Sequence, residues 1–277
     1  MNTPKEVLSL EVLVSCMYEL DETIVERSRI TSDVLLINQC DCKNMQEKNA
    51  GTQRIRRFDT KQRGISRSRN MAIEHAENDL CLLCDDDELF ENDYEATIIN
   101  AFRQLKNADI IVFLLANHPC SLKRSIHRLS YLECLKVCSC QIAFRRKAVL
   151  ESGVRFHPLI GAGSGNGCGE ENKFLLDCHK KGLKIYHFPQ TIASLRQEGS
   201  TWFQGFDNTF FYQRGIVTRY MLGLPLSVAY AFYYAFAKKK LYRQQISMLC
   251  ALKEMLHGIR NNDIWKEEIR TGKLWTK

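Results

Sequence analysis

The chain has 277 residues, 45% of them apolar and 26% charged, with a net charge of +7. That length suits one large α/β domain, or a domain with an appendage, and the charged content is that of an ordinary soluble surface. Residues 238–277 hold ten Lys/Arg against four Asp/Glu, so the basicity belongs mostly to the tail and no nucleic-acid partner is expected.

There are twelve cysteines. Cys16, Cys81 and Cys84 lie in apolar runs, where cysteine behaves as a small buried hydrophobe. Cys40-Asp-Cys42 and Cys138-Ser-Cys140 have one-residue spacings, outside the two to four residues of zinc knuckles. Residues 1–6 are polar, and 7–17 is too short for a secretory signal and carries Glu11. The expected compartment is the reducing cytosol.

In chain order, 8–17 (LSLEVLVSCM) reads as a first strand. Residues 21–31 read as a crossover helix and 33–38 (DVLLIN) as a second strand, giving a right-handed βαβ unit. Residues 43–51 read as a polar loop and 54–58 as a short third strand. A helix follows, with Gly64 at the turn and Ser66 as N-cap; Ile65, Ala72, Ile73 and Ala76 form its apolar face. Arg67, Ser68, Arg69 and Asn70 then fall in its first turn, where free N–H groups favour an anion. The alternative is a solvated basic helix start.

The next strand, 80–84, runs straight into Asp85-Asp86-Asp87-Glu88. Five uninterrupted apolar residues predict a strand buried on both faces, and in open α/β sheets the ligand lies beyond such strand ends. Adjacent carboxylates repel one another, and a divalent cation relieves the repulsion. All-oxygen donors suit Mg²⁺ or Mn²⁺, which in turn hold a diphosphate. The alternative is a solvated acidic turn.

Residues 94–105 read as an amphipathic helix, 109–116 as a buried strand, 121–136 as a basic loop or hairpin, 139–144 as a strand, and 146–152 as a helix ended by Gly153. Five glycines between 161 and 169 predict an irregular flap leading into Glu170, Glu171 and a helix over 172–181. The two acids fit either a lid carrying a general base or helix-start acids that favour the dipole. Residues 183–188 read as a strand closed by Pro189, with 191–195 as another; 196–201 is a polar loop with phosphate-contact residue types. Residues 220–237 lack charge but are broken by Gly223 and Pro225. Only 226–237 is clean helix, too short to span about 30 Å of hydrocarbon. The basic run 238–243 and a helix over 246–259 follow. This tail either lies on an anionic membrane surface or packs as a helical hairpin.

Taken together, the first two strands, Arg63-Gly-Ile-Ser-Arg-Ser-Arg-Asn70, Leu82-Leu-Cys-Asp-Asp-Asp-Glu88 and Gly169-Glu-Glu171 resemble the family 2 glycosyltransferases of GT-A fold, which include bacterial capsule, O-antigen and exopolysaccharide enzymes. The resemblance covers about residues 8–202. It implies a GT-A-type, Rossmann-like, mostly parallel α/β sheet with flanking helices over 1–204, and a helical, basic appendage over 205–277. It further implies inverting transfer from a nucleotide-diphosphate sugar, a UDP-sugar favoured, to a saccharide or lipid-linked acceptor, with Mg²⁺ or Mn²⁺, in the cytoplasm or at the inner face of the membrane. Asp85 and Asp87 match the two acids of the metal site, Asp87 as the direct ligand and Asp85 nearer the ribose or base. Asp86, Ser15, Gly64, Arg67, Arg69 and Asn70 match the nucleotide-sugar site, Glu171 the catalytic base and Glu170 its acidic neighbour. Two positions depart from the pattern. The second strand ends in Asn38-Gln39-Cys40-Asp41, leaving Asp41 as the acid for the nucleobase. The region of a metal-binding His holds Gln197 and Glu198. The rivals are a nucleotidyltransferase on a related fold, which would need a Gly-rich basic loop after the first strand, and a non-catalytic membrane-associated assembly partner.

Overall fold

The computed structural model describes residues 7–118, 121–196 and 205–262, with 264, 266, 267 and 270. The described residues fall into two compact units. One comprises Met1–Arg63, Arg67–Phe156 and Phe174–Glu198; the other comprises Gly64–Ser66, His157–Lys173 and Gly199–Lys277.

The first unit is built on one open, mixed sheet. Its strands are β1 (Leu10–Met17), β2 (Asp33–Gln39), β3 (Asn44–Ala50), β4 (Gln53–Thr60), β5 (Leu80–Asp85), β6 (Glu88–Phe90), β7 (Ile110–Leu115), β8 (His127–Arg128), β9 (Ile142–Arg145) and β10 (Ile185–Leu195). The order is β3-β4-β2-β1-β5-β9-β7-β10-β6, with β8 on β10. The β4-β2-β1-β5 block is parallel, β9 is antiparallel to β5 and β7, and β3 closes one edge antiparallel to β4. Helices α1 (Thr23–Arg27), α2 (Ile65–His75), α3 (Tyr94–Gln104), α4 (Arg146–Ser152) and α5 (Glu170–Lys180) connect the strands. The apolar residues expected on α2 are buried, as are Phe174, Leu175, Leu176 and Cys178 on α5.

Four elements differ from the sequence reading. The expected polar loop over 43–51 is strand β3, exposed along its whole length; its ladder to β4 is backbone chemistry that polar side chains do not announce. The first crossover helix is one short turn, because Arg29 takes a left-handed φ of 55°. Residues 139–141 form a 3₁₀ turn before β9 rather than the start of a strand. Strand β10 continues through Pro189, where the register against β7 slips between His187 and Thr191; a proline is tolerated at such an irregularity.

In the second unit, α6 (Asn208–Ala237), α7 (Lys239–Tyr242) and α8 (Met248–Asn261) share a core that includes Phe211, Ala231, Tyr234, Tyr242 and Met255. Helix α6 starts twelve residues before the expected uncharged run. Its Asp207 side chain accepts the Phe210 N–H at 2.7 Å. Arg214 is accommodated by lying over the Tyr234 ring at 4.3 Å and donating to the Tyr230 hydroxyl at 3.1 Å. A Cβ on Gly215 would stand 2.1 Å from the Met255 carbonyl oxygen, and one on Gly258 2.0 Å from that of Tyr212. The α6–α8 crossing therefore needs both glycines. By length and composition α6 is apolar enough to cross a membrane, but Gly223 breaks it with φ 74° and ψ 178°, as the sequence predicts.

The first unit carries a charge inside its sheet. Glu11 on β1 and Arg56 on β4 are 2% and 3% exposed and form an ion pair. Arg56 also reaches Glu77 at 2.7 Å, and Glu11 accepts the Glu77 N–H at 2.8 Å. Removing one partner strands a buried charge, whereas removing both does not. Arg56→Met should cost about 3–5 kcal/mol in urea denaturation, and Glu11→Leu/Arg56→Met should recover most of that loss. Equal losses in the single and double variants would contradict this account.

Candidate active site

The parallel register sets Ser15 on β1 opposite Asp85 on β5. Helix α2 runs between β4 and β5 in the chain, and its Ser68 hydroxyl donates to the Ser15 hydroxyl at 2.8 Å. One residue on, Arg69 is 2% exposed, lies over the Phe156 ring at 5.5 Å and donates from Nη2 to Asp85 Oδ1 at 2.8 Å. The other Asp85 oxygen accepts from the Ser139 hydroxyl at 3.0 Å and the Cys140 thiol at 3.5 Å. Burial alone would push the Asp85 carboxyl up. The Arg69 charge, with hydrogen bonds from Arg69, Ser139 and Cys140, more than offsets it and holds the group below its usual range.

The next three acids behave differently. Glu88 is fully buried, and its Oε1 accepts the Asp85 N–H at 2.8 Å. Burial, then the Asp85 charge, raises its carboxyl well above the ordinary range. Asp86 and Asp87 form the turn between β5 and β6. Desolvation and repulsion from Asp85 raise both. Their main chain is held from β10: Arg196 donates its N–H to the Asp87 carbonyl at 2.7 Å and its guanidinium to the Asp86 carbonyl. The Asp86 and Asp87 side chains follow as oxygen donors in the turn, while the groups here whose donor atoms lie within 4.8 Å of one another are Asp85, Glu88 and Cys140.

Beside this cluster a crevice of about 550 Å³ opens beyond the ends of β1 and β2, lined in part by Tyr18, Glu19, Asn38, Arg57 and Asp59. Asn38 braces it, donating to Asp59 at 2.7 Å and to the Glu19 carbonyl at 3.0 Å. Asp41 does not line the crevice. It is exposed and paired with Arg63, which also donates to the Tyr18 hydroxyl at 3.2 Å.

In the second unit, Gly64, Ile65 and Ser66 are stapled to the glycine-rich segment. The Ile65 N–H donates to the Ala162 carbonyl at 3.1 Å and the Ser66 hydroxyl to the Ile160 carbonyl at 2.6 Å. Ser66 is therefore a first-turn residue of α2 rather than its N-cap, and one helix-start N–H is already used. A Cβ on Gly161, at φ 103°, would meet the Ile65 side chain at 2.7 Å and the Glu170 carboxylate at 3.0 Å. Glu170 is buried, whereas Glu171 is partly exposed at the start of α5.

Among the expected site residues, the structure joins Ser15, Arg69 and Asp85 through one polar cluster, with Asp86 and Asp87 following in the turn. Asn70 faces inward: its amide donates to the Phe156 carbonyl at 2.8 Å and accepts the Phe156 N–H at 2.7 Å. Arg67 is exposed and donates to the Arg63 carbonyl at 3.1 Å. Gln197 and Glu198 lie outside the described residues. Sequence reasoning missed Ser68, Ser139, Cys140 and Arg196 as supports, and Asn38, Arg57 and Asp59 as crevice walls. For Asn38, Arg57 and Asp59 the strand register carries that signal.

An α/β sheet whose central strand ends in an arginine-clamped acid, next to a crevice at the neighbouring strand ends, defines a GT-A-type fold. Residues 24–151, just under half of the chain, match the model of glycosyl transferase family 2. Among solved structures, S. aureus TarS 1-349 is similar with a TM-score of 0.58 and 11% identity, over 96% of this chain and 92% of that one. The same protein in complex with UDP-GlcNAc gives 0.59 and 12%, over 96% and 93%. A further TarS structure gives 0.56 and 11%, over 91% of this chain and 49% of that one. A search of the curated proteins gives no match.

Asp85 and Glu88 have opposite pH signatures. Asp85, held low, stabilises the fold above its ordinary 3.8, and that contribution is lost as pH falls through the lowered value. Glu88, held high, contributes below its ordinary 4.5, and its contribution is lost as pH rises through the raised value. With chelator present, the stability of Glu88→Gln relative to wild type should therefore improve between about pH 5 and pH 8 in urea denaturation. A difference that does not move with pH would show that Glu88 is ionised in the fold.

Proposed function

We propose that the chain is an inverting glycosyltransferase that moves a sugar from a nucleotide-diphosphate donor to a hydroxyl of a saccharide or lipid-linked acceptor, in surface polysaccharide synthesis. The observation that carries this reading is the Ser15–Ser68 and Arg69–Asp85 clamp at the end of β5, of which Ser68, Arg69 and Asp85 lie within the stretch that matches the family 2 model. The donor we favour is a UDP-sugar, the class held in the TarS complex with UDP-GlcNAc.

Each group then has a task. The nucleobase enters the crevice beside Tyr18 and Arg57. Asp85, fixed by Arg69, orients the ribose side. Asp87, with Asp86 beside it, would hold Mg²⁺ or Mn²⁺; burial first, and then repulsion from Asp85 that a cation would relieve, raises both carboxyls. When bound, the ion neutralises charge on the departing nucleoside diphosphate. Glu171 removes the acceptor proton, and the freed oxygen attacks the anomeric carbon from the face opposite the leaving group.

Calorimetry and turnover separate these roles. Asp87→Ala should abolish metal-dependent donor binding. Glu171→Gln should bind donor as wild type does and lose transfer by roughly 10²–10⁴-fold. Wild-type turnover in Glu171→Gln, or unchanged metal-dependent affinity in Asp87→Ala, would remove the corresponding assignment.

A lipid-linked acceptor also gives the tail a task at the inner face of the membrane. Phe232, Tyr233 and Phe236 on α6, and Leu241 on α7, are exposed apolar residues. They sit in sequence beside Lys238, Lys239 and Lys240, a combination suited to an anionic leaflet. The wild-type chain should sediment with phosphatidylserine-containing vesicles, and replacing the three lysines with Glu should release it. Equal sedimentation with neutral vesicles would contradict the electrostatic part of this reading.

A further inference from the structure

The β2–β3 connection brings two thiols and a carboxylate together for reasons visible in the strand register. Asn38 on β2 and Asn44 on β3 are both register partners of Asp59 on β4, from its two sides. The chain between them therefore passes over Asp59, carrying Cys40 and Cys42. The two sulfurs stand 3.4 Å apart, and all three donor groups have atoms within 4.8 Å of one another. Two Zn–S bonds of about 2.3 Å at a tetrahedral angle separate their sulfurs by about 3.8 Å, whereas a disulfide requires about 2.05 Å. The observed spacing is close to the first value and far from the second.

The surroundings are those of a ligand set. Asp59 Oδ1 is already held by Arg57 Nε at 2.9 Å and Asn38 Nδ2 at 2.7 Å. Among the described residues, nothing donates to its other oxygen. Outer hydrogen bonds of this kind orient a ligating carboxylate. The Cys40 main chain is pinned too, its N–H donating to the Thr60 carbonyl at 2.9 Å and its carbonyl accepting from Arg63 at 3.0 Å. Cys42 is exposed, so the group is open to solvent. With both thiols ionised, Cys40, Cys42, Asp59 and Arg57 together carry two negative charges, which one divalent cation neutralises.

We propose that Cys40, Cys42 and Asp59 bind a thiophilic divalent cation of the zinc class, which clips the β2–β3 connection onto β4. Binding releases the two thiol protons to solvent and forms two metal–sulfur bonds and one metal–oxygen bond. The fourth position is open to water. The site differs in softness from the all-oxygen set at Asp86 and Asp87, so the two select different ions. Cys40, Cys42 and Asp59 also line the crevice given above to the nucleobase, so a bound ion would sit in its wall; the inference does not rest on the transfer chemistry.

The test uses the reduced full-length chain and Co²⁺ as a spectroscopic stand-in for Zn²⁺. Thiolate-to-cobalt charge-transfer absorbance should saturate near about one equivalent and disappear on adding Zn²⁺. Zn²⁺ should also raise the melting temperature. Cys42→Ser, at an exposed position, should keep the wild-type circular dichroism and lose both the absorbance and the shift, whereas Asp87→Ala should keep both. The proposal is overturned if about one equivalent of Co²⁺ gives no thiolate absorbance, or if that absorbance persists in Cys40→Ser/Cys42→Ser.

Discussion

The first unit depends on the contact between Arg69 and Asp85. A strand buried on both faces cannot end in a carboxylate without a partner, because an unpaired charge in that setting is strongly unfavourable. Arg69 supplies the partner from α2, and Ser139 and Cys140 complete the shell. Burial first, and then this fixed anion, grades the acids that follow. Glu88, buried beside it, is driven towards its neutral form, while Asp86 and Asp87 are pushed up but face outward. Four consecutive acids are thus graded, with Asp85 held below its usual range and Glu88, Asp86 and Asp87 raised above theirs.

The residues around that contact act largely through the main chain. Asn70 closes both Phe156 backbone groups, Arg196 holds two successive carbonyls of the acidic turn, and Asn38 ties the end of β1 to Asp59. A polar motif at a strand mouth therefore need not touch the ligand residue by residue. Part of the basic segment 67–70 builds the floor on which others present their charges. Arg69 works on Asp85 rather than outward, and Arg67 alone of the two arginines remains exposed.

What the sequence disclosed follows the same physics. Strands β2, β5 and β7 carry continuous apolar runs, and β1 one interrupted only by Glu11 and Ser15, because they are buried on both faces, and such runs are legible without a partner strand. Strand β3 was not, since an edge strand exposed on both faces has no apolar period to read. The start of α6 was hidden because Gln213 and Arg214 interrupt its apolar character, although Arg214 is absorbed by aromatic rings. The acidic strand end and Arg69 were legible as residue types near each other in the chain. Asp59 was not, because its place beside Asn38 exists only in the β2–β4 register, and Asp41 was the nearer candidate along the chain.

The two acids at the start of α5 are distinguished by packing rather than by sequence. Glu170 is buried, and its carboxylate lies so close to Gly161 that a Cβ there would stand 3.0 Å from it and 2.7 Å from Ile65. Gly161 therefore serves close approach as well as a positive φ, and Glu170 is enclosed by the chain it helps to position. Glu171, one residue on, projects about 100° further round the helix and is partly exposed. A general base must reach a proton on a ligand that arrives from solvent. By that criterion the enclosed Glu170 is poorly exposed to an incoming ligand, whereas Glu171 is partly open to solvent.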